Sequence, residues 1–520
     1  MANEHIIANL LENTVEKYPD TPAVRWIVRK QIPEKTYAEL NSDRNKVASA
    51  LLKNGFEGKQ VAMIGSGSYE WIATYLGIVS TKMTAVPLDP LLPPLELCDL
   101  INRSDSEALF VAPKLASLID IVKANCPAVR LYVVLNQEPS KDPSILSFKE
   151  FIADESGEAI PDEKRPEPDD VCTIIFTSGT TGKPKGVMLS QRNLYDDVTN
   201  VIVNFDPGTT MLSVLPVHHA YCLVMDWLKG FSLGATIYIN DTLLHMLRNI
   251  GIVQPQILLM VPLMIETIGK RLAAVDSDVP KRDIAKQVLG ENLEYIFSGG
   301  AHLDPAYITL FEEYGIKVCE GYGMSECSPT ISTNGQNGNK PGSVGKVLAN
   351  MEIRFVDGEI QVKGSNVMKG YYKMPKETEE AFMDGWLRTG DLGRIDEDGY
   401  LYITGRLKNL IILSNGENVS PEEIENVMLT DDLVGEVVIA GEENGLAARI
   451  YPDADVAEAR GLSPEEVAAA LQGILDAYNK TQPSYRAITS LKIRKYPFIK
   501  NSTKKIIRAK MDIDEAPAEA

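Results

Sequence analysis

Thr177-Ser178-Gly179-Thr180-Thr181-Gly182-Lys183-Pro184-Lys185-Gly186 follows an apolar run, VCTIIF from Val171. It precedes a helical pattern that begins near Ser190, in which Leu194, Val198, Val201 and Phe205 make an apolar face. Such a segment offers hydroxyls, unencumbered backbone N–H groups and two ammonium groups to an anion, so phosphate binding is its natural chemistry. It is not a Walker loop. That pattern needs four residues between the first Gly and Gly-Lys, with Ser or Thr after the Lys, whereas here two residues intervene and Pro184 follows Lys183. A P-loop NTPase is therefore disfavoured. A lone Gly- and Thr-rich turn is more often a plain surface loop, so the segment needs support from the rest of the chain.

On either side of it, the first four-fifths of the sequence alternates short apolar runs with helical patterns, as a layered α/β architecture does. VAMIG from Val61, VCTIIF from Val171, MLSVL from Met211, ATIYI from Ala235, ILLMV from Ile257, EYIFS from Glu294 and IKVCE from Ile316 read as buried strands. Four of them run into unusual loops, TSGTTGKPKG, PVHHAY, SGGA and GYGMSE. Ligands of open α/β sheets bind beyond the carboxyl ends of strands, so these loops are expected to share one cleft. Between residues 352 and 404 the pattern changes to hairpins, with Asp-Gly turn signals in VDGEI and DEDGYLYI. Beyond it, LIIL, VVIA and LAARI read as strands, and Ser420-Pro421-Glu422-Glu423 and Ser463-Pro464-Glu465-Glu466 as matching capping boxes. The expected fold is a large α/β domain of layered subdomains with a β-rich segment, residues 1–405, and a small mobile α+β domain, residues 406–520, ending in a frayed acidic tail, DIDEAPAEA.

Bulk properties narrow the function classes. The chain has 520 residues, 44% hydrophobic and 24% charged, enough apolar material for more than one core. A net charge of −20 disfavours a general nucleic-acid binder, which needs a basic surface. Six cysteines without CxxC spacing and five histidines without HExxH spacing argue for free thiols in a reducing cytosol and against structural zinc. No run approaches the ~20 apolar residues that span a bilayer. The N-terminus lacks a basic start and an apolar leader core and reads as an amphipathic helix, so a cytoplasmic protein is expected.

TSGTTGKPKGV resembles the phosphate-loop signature of the adenylate-forming superfamily: acyl-CoA synthetases, firefly luciferases and peptide-synthetase adenylation domains. LPVHHAY at Leu215–Tyr221, SGGA at Ser298–Ala301, GYGMSE at Gly321–Glu326, TGDLG at Thr389–Gly393, GRLKNLIILSNGENVSPEEIE at Gly405–Glu425 and STKKIIR at Ser502–Arg508 follow in the family's order. The resemblance spans TYAEL at Thr36 to Lys505, and LSNGENVSPEEIE with SGGAHLDP is most similar to the bacterial fatty acyl-CoA ligases.

The resemblance implies roles. The family's loop closes over the departing pyrophosphate, which implies that Thr177, Ser178, Gly179, Thr180, Thr181 and Lys185 do so here. Donors and cations that absorb charge developing in the attack of a carboxylate on the α-phosphorus lower its barrier. Glu326 resembles the magnesium ligand, and one carboxylate plus phosphate oxygens and waters is a normal shell for Mg2+. Ser325 replaces the family's usual Thr and keeps a hydroxyl for a phosphate oxygen. Tyr322 matches the aromatic that stacks on adenine, Gly300 and Ala301 the backbone lining the base, Asp391 the ribose-binding carboxylate, and Arg406 its partner on the sugar. His219 resembles the residue guarding the substrate carboxylate, with alignment on Pro216 favouring it over His218, although either could face the site. His218 and Tyr221 are expected in the acyl pocket.

Lys505 resembles the mobile lysine that bridges acid and α-phosphate in the first half-reaction. The family's usual Gly before it is Lys504 here, so the register is open by one residue. Lys408 occupies the hinge position, and Gly416 the border of the coenzyme A tunnel. The implied activity takes a carboxylic acid, expected to be a fatty acid, and ATP to acyl-AMP and pyrophosphate, then transfers the acyl group to coenzyme A. The nearest alternative loads an acyl-carrier protein; a non-catalytic nucleotide sensor and luciferase-like oxygenation are further alternatives. Amino-acid-activating domains carry an Asp in an FDxS-type segment. Counting back from Leu233–Ala235, that position falls near Tyr221 and leaves Asp226 out of register, so an α-amino acid is not expected.

Overall fold

The computed structural model describes residues 4–29, 31–136, 138–140, 142–177, 183–275, 278–336, 338–413, 418–442, 445–483, 486–500 and 506–516. The chain forms two compact units. The first comprises Met1–Ile353, Val362–Arg388 and Glu397–Leu401; the second comprises Arg354–Gln361, Thr389–Asp396 and Tyr402–Ala520. The second unit therefore takes in Asp391 as well as Arg406.

Two large sheets organise the first unit. Gln60–Ile64 (β1), Thr84–Leu88 (β2), Val171–Thr177 (β3) and Lys185–Ser190 (β4) lie in an eight-stranded sheet. Thr210–Ser213 (β5), Thr236–Ile239 (β6), Ile257–Met260 (β7), Tyr295–Ser298 (β8), Lys317–Gly323 (β9) and Thr330–Thr333 (β10) lie in a nine-stranded sheet. The short strand Gly370–Tyr371 (β11) closes one edge of the eight-stranded sheet by pairing antiparallel with β4. From β6 through β5, β7 and β8 to β9 the nine-stranded sheet is parallel. Strands covered by helices on both faces read as unbroken apolar runs, which is why the sequence showed them plainly. Leu212, Leu258, Ile296 and Val318 pack with Ile265, Leu272 and Phe311 from helices in one core. Ala62, Val86, Leu109 and Ile174 pack with Leu100, Ile119 and Val122 in another.

Three readings are refined here. The helix after the Gly- and Thr-rich loop begins where the sequence placed it, at Gln191 with Ser190 as its cap, but it is shorter than its apolar pattern and is preceded by a strand. β4 intervenes and pairs antiparallel with β3, Thr177 opposite Lys185, so the loop is the connection of a hairpin. The helix is Gln191–Asn200, capped by Ser190 with a full capping box to Asn193; Val201 is its C-cap and Phe205 lies beyond it. Phe205 instead meets the Tyr295 ring edge-on at 5.3 Å. Second, the strands that lead into the four unusual loops come from both large sheets. PVHHAY and SGGA follow β5 and β8 of the nine-stranded sheet, whereas TSGTTGKPKG joins β3 to β4 of the other. Third, the first residues of GYGMSE are strand: β9 runs to Gly323 and pairs with β10.

In the second unit, Asp357 and Gly358 make the expected Asp-Gly turn, with φ of 50° and 81°, both in the left-handed region that a two-residue hairpin requires. VVIA and LAARI fall in the antiparallel pair Val434–Glu442 and Gly445–Pro452, with Ile488–Ile493 added parallel to the second. Val437, Ile439, Ala448 and Ile450 bury one face of this sheet against Ile424, Met428, Leu471 and Leu475 of two helices. LIIL yields only the short strand Ile411–Ile412, paired with Asn418–Val419.

The two capping signals behave differently. Ser463 makes the reciprocal box with Glu466 at the start of Pro464–Thr481. Ser420 makes no cap bond at the start of Pro421–Met428; its hydroxyl donates to the Thr404 carbonyl at 2.9 Å. Gly405 leaves room for this, since a Cβ there would sit 2.1 Å from Ser420 Oγ. Ser463→Ala is therefore expected to cost about 1 kcal/mol in urea unfolding followed in the second unit, through the loss of the box.

Candidate functional site

The root of the β3–β4 hairpin is tied to a carboxylate through a phenol. Lys185 Nζ lies 4.7 Å over the Tyr371 ring, a cation–π contact. Tyr371 Oη donates to Glu326 Oε1 at 2.9 Å. Glu326 is buried on the short 3-10 turn Ser325–Cys327, and its carbonyl accepts from Met368 N–H at 2.9 Å. Tyr371 is placed by its ladder pairing with Val187 on β4 and by its N–H bond to Thr378 Oγ1 at 2.9 Å. Burial, then the charge of Glu326, push the Tyr371 hydroxyl above the ordinary phenol range, so it remains a donor. On the other side of the root, Arg103 donates to the Pro184 carbonyl at 2.6 Å.

The strap carrying Met368 and Tyr371 is itself anchored. Asn366 Nδ2 donates to Asp197 Oδ1 at 2.7 Å and to the Thr330 carbonyl at 3.0 Å. Asn193 Nδ2 donates to the Ser365 and Val367 carbonyls at 2.7 and 3.0 Å. Ser328 Oγ donates to the Asn366 carbonyl at 2.8 Å. Asp197 also accepts from Thr330 N–H at 3.2 Å, and burial raises its pKa well above the usual carboxylate range. The helix that follows the phosphate hairpin thus grips both the strap and the strand after Glu326.

Tyr322 is half-buried on β9, opposite Ser332 of β10. The next residue, Gly323, pairs with Thr330 beyond a register shift, and a Cβ there would lie 1.8 Å from the Pro329 carbonyl oxygen. Ser325 is half-buried on the Glu326 turn. Gly300 and Ala301 are exposed, and Gly300 has φ +86°, a conformation that suits glycine.

His218 and His219 follow β5 with ring centroids 4.3 Å apart; His218 is buried and His219 half-buried. Tyr221 opens the π-helical segment Tyr221–Leu228, a rare form found often at functional sites. Its hydroxyl donates to the Phe297 carbonyl at 3.0 Å, and its ring edge comes within 3.0 Å of where a Cβ on Gly299 would stand. Tyr221 therefore joins the PVHHAY and SGGA loops. Asp226 on the same segment is fully buried, pushed up to about 7 by burial, with Cys222 Sγ donating to Oδ2 at 3.8 Å.

In the second unit Arg406 Nε lies 3.0 Å from Asp391 Oδ1, the carboxylate being buried. Asp391 N–H donates to Thr389 Oγ1 at 3.1 Å. Lys408 sits on the short turn Leu407–Asn409. Close after Lys505 in sequence, Ile506 bridges Lys500 and Arg508 pairs with Glu425 and lies 3.5 Å from Glu422. Ser178, Gly179, Thr180, Thr181, Gly416 and Lys505 lie outside the described residues. Sequence reasoning missed Tyr371 and Asp197. The aromatic pair after Gly370 gave a weak signal for the first; nothing local marks the second. No group of three or more His, Cys, Asp or Glu side chains able to hold a metal ion occurs among the described residues.

Residues 11–372 match the family model described as AMP-binding enzyme, and residues 408–513 match that of the AMP-binding enzyme C-terminal domain. The chain is 29% identical to the peroxisomal long chain acyl-CoA synthetase 7 of Arabidopsis thaliana, over 81% of this chain and 69% of that protein. It is 27% identical to the long-chain-fatty-acid–CoA ligase FadD15 of Mycobacterium bovis, over 81% of this chain and 78% of that one. Among solved structures it resembles the anthranilate CoA ligase AuaEII in complex with anthranoyl-AMP, with a TM-score of 0.83, 22% identity and coverage of 97% and 96% of the two chains. At that identity the likeness speaks to the fold. No helix among the described residues is long and apolar enough to cross a membrane.

Proposed function

Because this chain belongs to the AMP-binding enzyme family, we propose that it is an AMP-forming acyl-CoA ligase whose acid is a fatty acid. ATP and coenzyme A are its co-substrates. A carboxylate attacks the α-phosphorus, pyrophosphate leaves, and the acyl group then passes from AMP to the thiol. The acid class is supported by the relatives named as long-chain acyl-CoA ligases. The position of Asp226, out of register with the Asp of amino-acid-activating domains and fully buried, weighs against a substrate ammonium.

The observation that carries the reading is the run Lys185, Tyr371, Glu326 at the root of the hydroxyl-rich hairpin. A cation there, with Thr177, Ser178, Gly179, Thr180, Thr181 and Ser325 as donors, stabilises the charge that develops on the leaving pyrophosphate. Glu326 suits Mg2+: it is a hard oxygen donor with Oε1 oriented by Tyr371, and such an ion keeps several waters and takes few protein carboxylates. Bound there, Mg2+ would neutralise phosphate oxygens. Tyr322 stacks on adenine beside Gly300 and Ala301, and Asp391 with Arg406 takes the ribose hydroxyls. His219 meets the acid's carboxylate, while His218 and Tyr221 border the acyl chain. Lys505 serves the first half-reaction, Lys408 is the hinge, and Gly416 borders the path of coenzyme A. The protein acts in the cytoplasm, a reading supported by six free buried thiols.

Incubation with ATP, magnesium, coenzyme A and a pool of fatty, aryl and amino acids tests the proposal, with acyl-AMP and acyl-CoA identified by mass spectrometry. A fatty acyl-CoA is the expected product. Acyl-AMP without thioester would favour an acyl-carrier protein as the thiol partner, and ATP binding without either product would favour a sensor. Tyr371→Phe removes one charge-assisted hydrogen bond from Glu326 and is expected to lower the rate of acyl-AMP formation about 10- to 100-fold. Pyrophosphate release measures it, and an unchanged rate would remove Tyr371 from the phosphate machinery.

A further inference from the structure

Asp89 is the first residue beyond β2, at the carboxyl end of that strand. Its Oδ1 accepts from Leu91 N–H at 2.9 Å, a turn bond that sets the direction of the carboxylate. β2 pairs with β3 through Ala85 and Thr173, and β3 ends at Thr177, where the phosphate hairpin begins. Facing Asp89 is a side chain from the other sheet. His218 Nε2 lies 3.7 Å from Asp89 Oδ1, with the two side chains 9% and 13% exposed. That nitrogen has no hydrogen-bond partner among the described residues.

Burial and the adjacent His219 push His218 down to about 3, so at neutral pH its ring is uncharged and carries one N–H. With that proton on Nδ1, the Nε2 lone pair would face a carboxylate. With the proton on Nε2, the N–H points at an acceptor less than about 1 Å beyond hydrogen-bond range. The His219 ring packs on His218 with centroids 4.3 Å apart and planes inclined at 46°, so the orientation of one limits that of the other.

We infer that Asp89 is a positioning residue: its carboxylate accepts a hydrogen bond from His218 Nε2–H and, through that ring, sets the His219 imidazole against the carboxylate of the acid. The contact ties the loop that meets the acid to the sheet that carries the phosphate hairpin, and so fixes the acid relative to the α-phosphorus. This rests on the ligase reading for the role of His219.

The test combines a double-mutant cycle with spectroscopy. Asp89→Ala and His218→Ala are each expected to lower kcat for acyl-AMP formation about 10- to 100-fold, with little change in KM for ATP. The double variant should be no slower than the slower single one, and Asp89→Asn, which keeps an acceptor, should recover most of the rate. Losses that multiply, or that track thermal unfolding midpoints alone, would overturn the inference. Nitrogen-15 NMR of the five histidines, assigned by His→Gln substitution, needs no turnover. The wild type should show His218 as the neutral Nε2–H tautomer, and Asp89→Ala should move the His219 signals. An Nδ1–H tautomer, or His219 signals unmoved by Asp89→Ala, would overturn the positioning role. A wild-type protein that activates no acid would count against the ligase reading instead, and the spectra would still decide the role of Asp89.

Discussion

Lys505→Ala is expected to slow acyl-AMP synthesis by about 100- to 1,000-fold while leaving the conversion of supplied acyl-AMP and coenzyme A to thioester near the wild-type rate. The first half-reaction brings a carboxylate up to a triphosphate, so anion meets anion, and a lysine spanning both offsets that repulsion in the transition state. The second half-reaction begins from an acyl-AMP in which those charges have already been joined in a mixed anhydride. It has no need of the same cation. Pyrophosphate release reads the first step, and thioester absorbance from added acyl-AMP reads the second. Loss of both would point to a structural role for Lys505. Lys504→Ala is the companion measurement, because Lys504 stands where the family pattern has Gly; if it alone carries the loss, the register moves by one residue.

Gly323→Ala should be severely damaging to the first unit. The added Cβ would stand 1.8 Å from the Pro329 carbonyl oxygen and 2.8 Å from its carbon. Both are backbone, so no side chain can swing away. The same oxygen accepts from Met324 N–H at 2.9 Å, closing the turn that carries Ser325 and Glu326. Relief requires parting β9 from β10 at the point where Gly323 faces Thr330. The expected cost is at least about 3 kcal/mol, read as a lower unfolding midpoint together with loss of acyl-AMP synthesis. Gly251→Ala is the control: nothing lies within 4 Å of its Cβ position, it sits within the helix Met246–Val253, and it should be neutral or stabilising by up to about 1 kcal/mol.

The interior strands were legible because parallel strands buried on both faces are apolar along their buried length, as in Ile257–Met260 and residues 61–64. β4 was not. KGVMLS carries a Gly and no β-branched run, and its partners are β3 and a two-residue strand at Gly370–Tyr371 that lies far along the chain. The paired Ser-Pro-Glu-Glu segments show the same limit. Identical local sequence made a capping box at Ser463 and none at Ser420, because only Ser420 has the Thr404 carbonyl within reach. Motifs displayed Glu326, Asp391 and Arg406 as candidates, but Tyr371 acquires its contact with Glu326 from a residue 45 positions earlier. Asp89 meets His218 from a different sheet. Such contacts belong to the packing of remote segments, which local patterns do not record.

The six cysteines bear on the compatibility of this protein with its own products. An enzyme that generates acyl adenylates and thioesters works among strong acyl donors, and any thiolate of its own within reach would be a competing acceptor. All six thiols are free and buried. Burial raises Cys126 and Cys172 to about 12 and Cys319 to about 11, and lifts Cys222 and Cys327 well above the ordinary thiol value. Since the thiolate is the nucleophile, these five are held protonated as well as out of reach. Self-acylation is thereby disfavoured, and the thiol that the chemistry consumes is the one that arrives with the substrate.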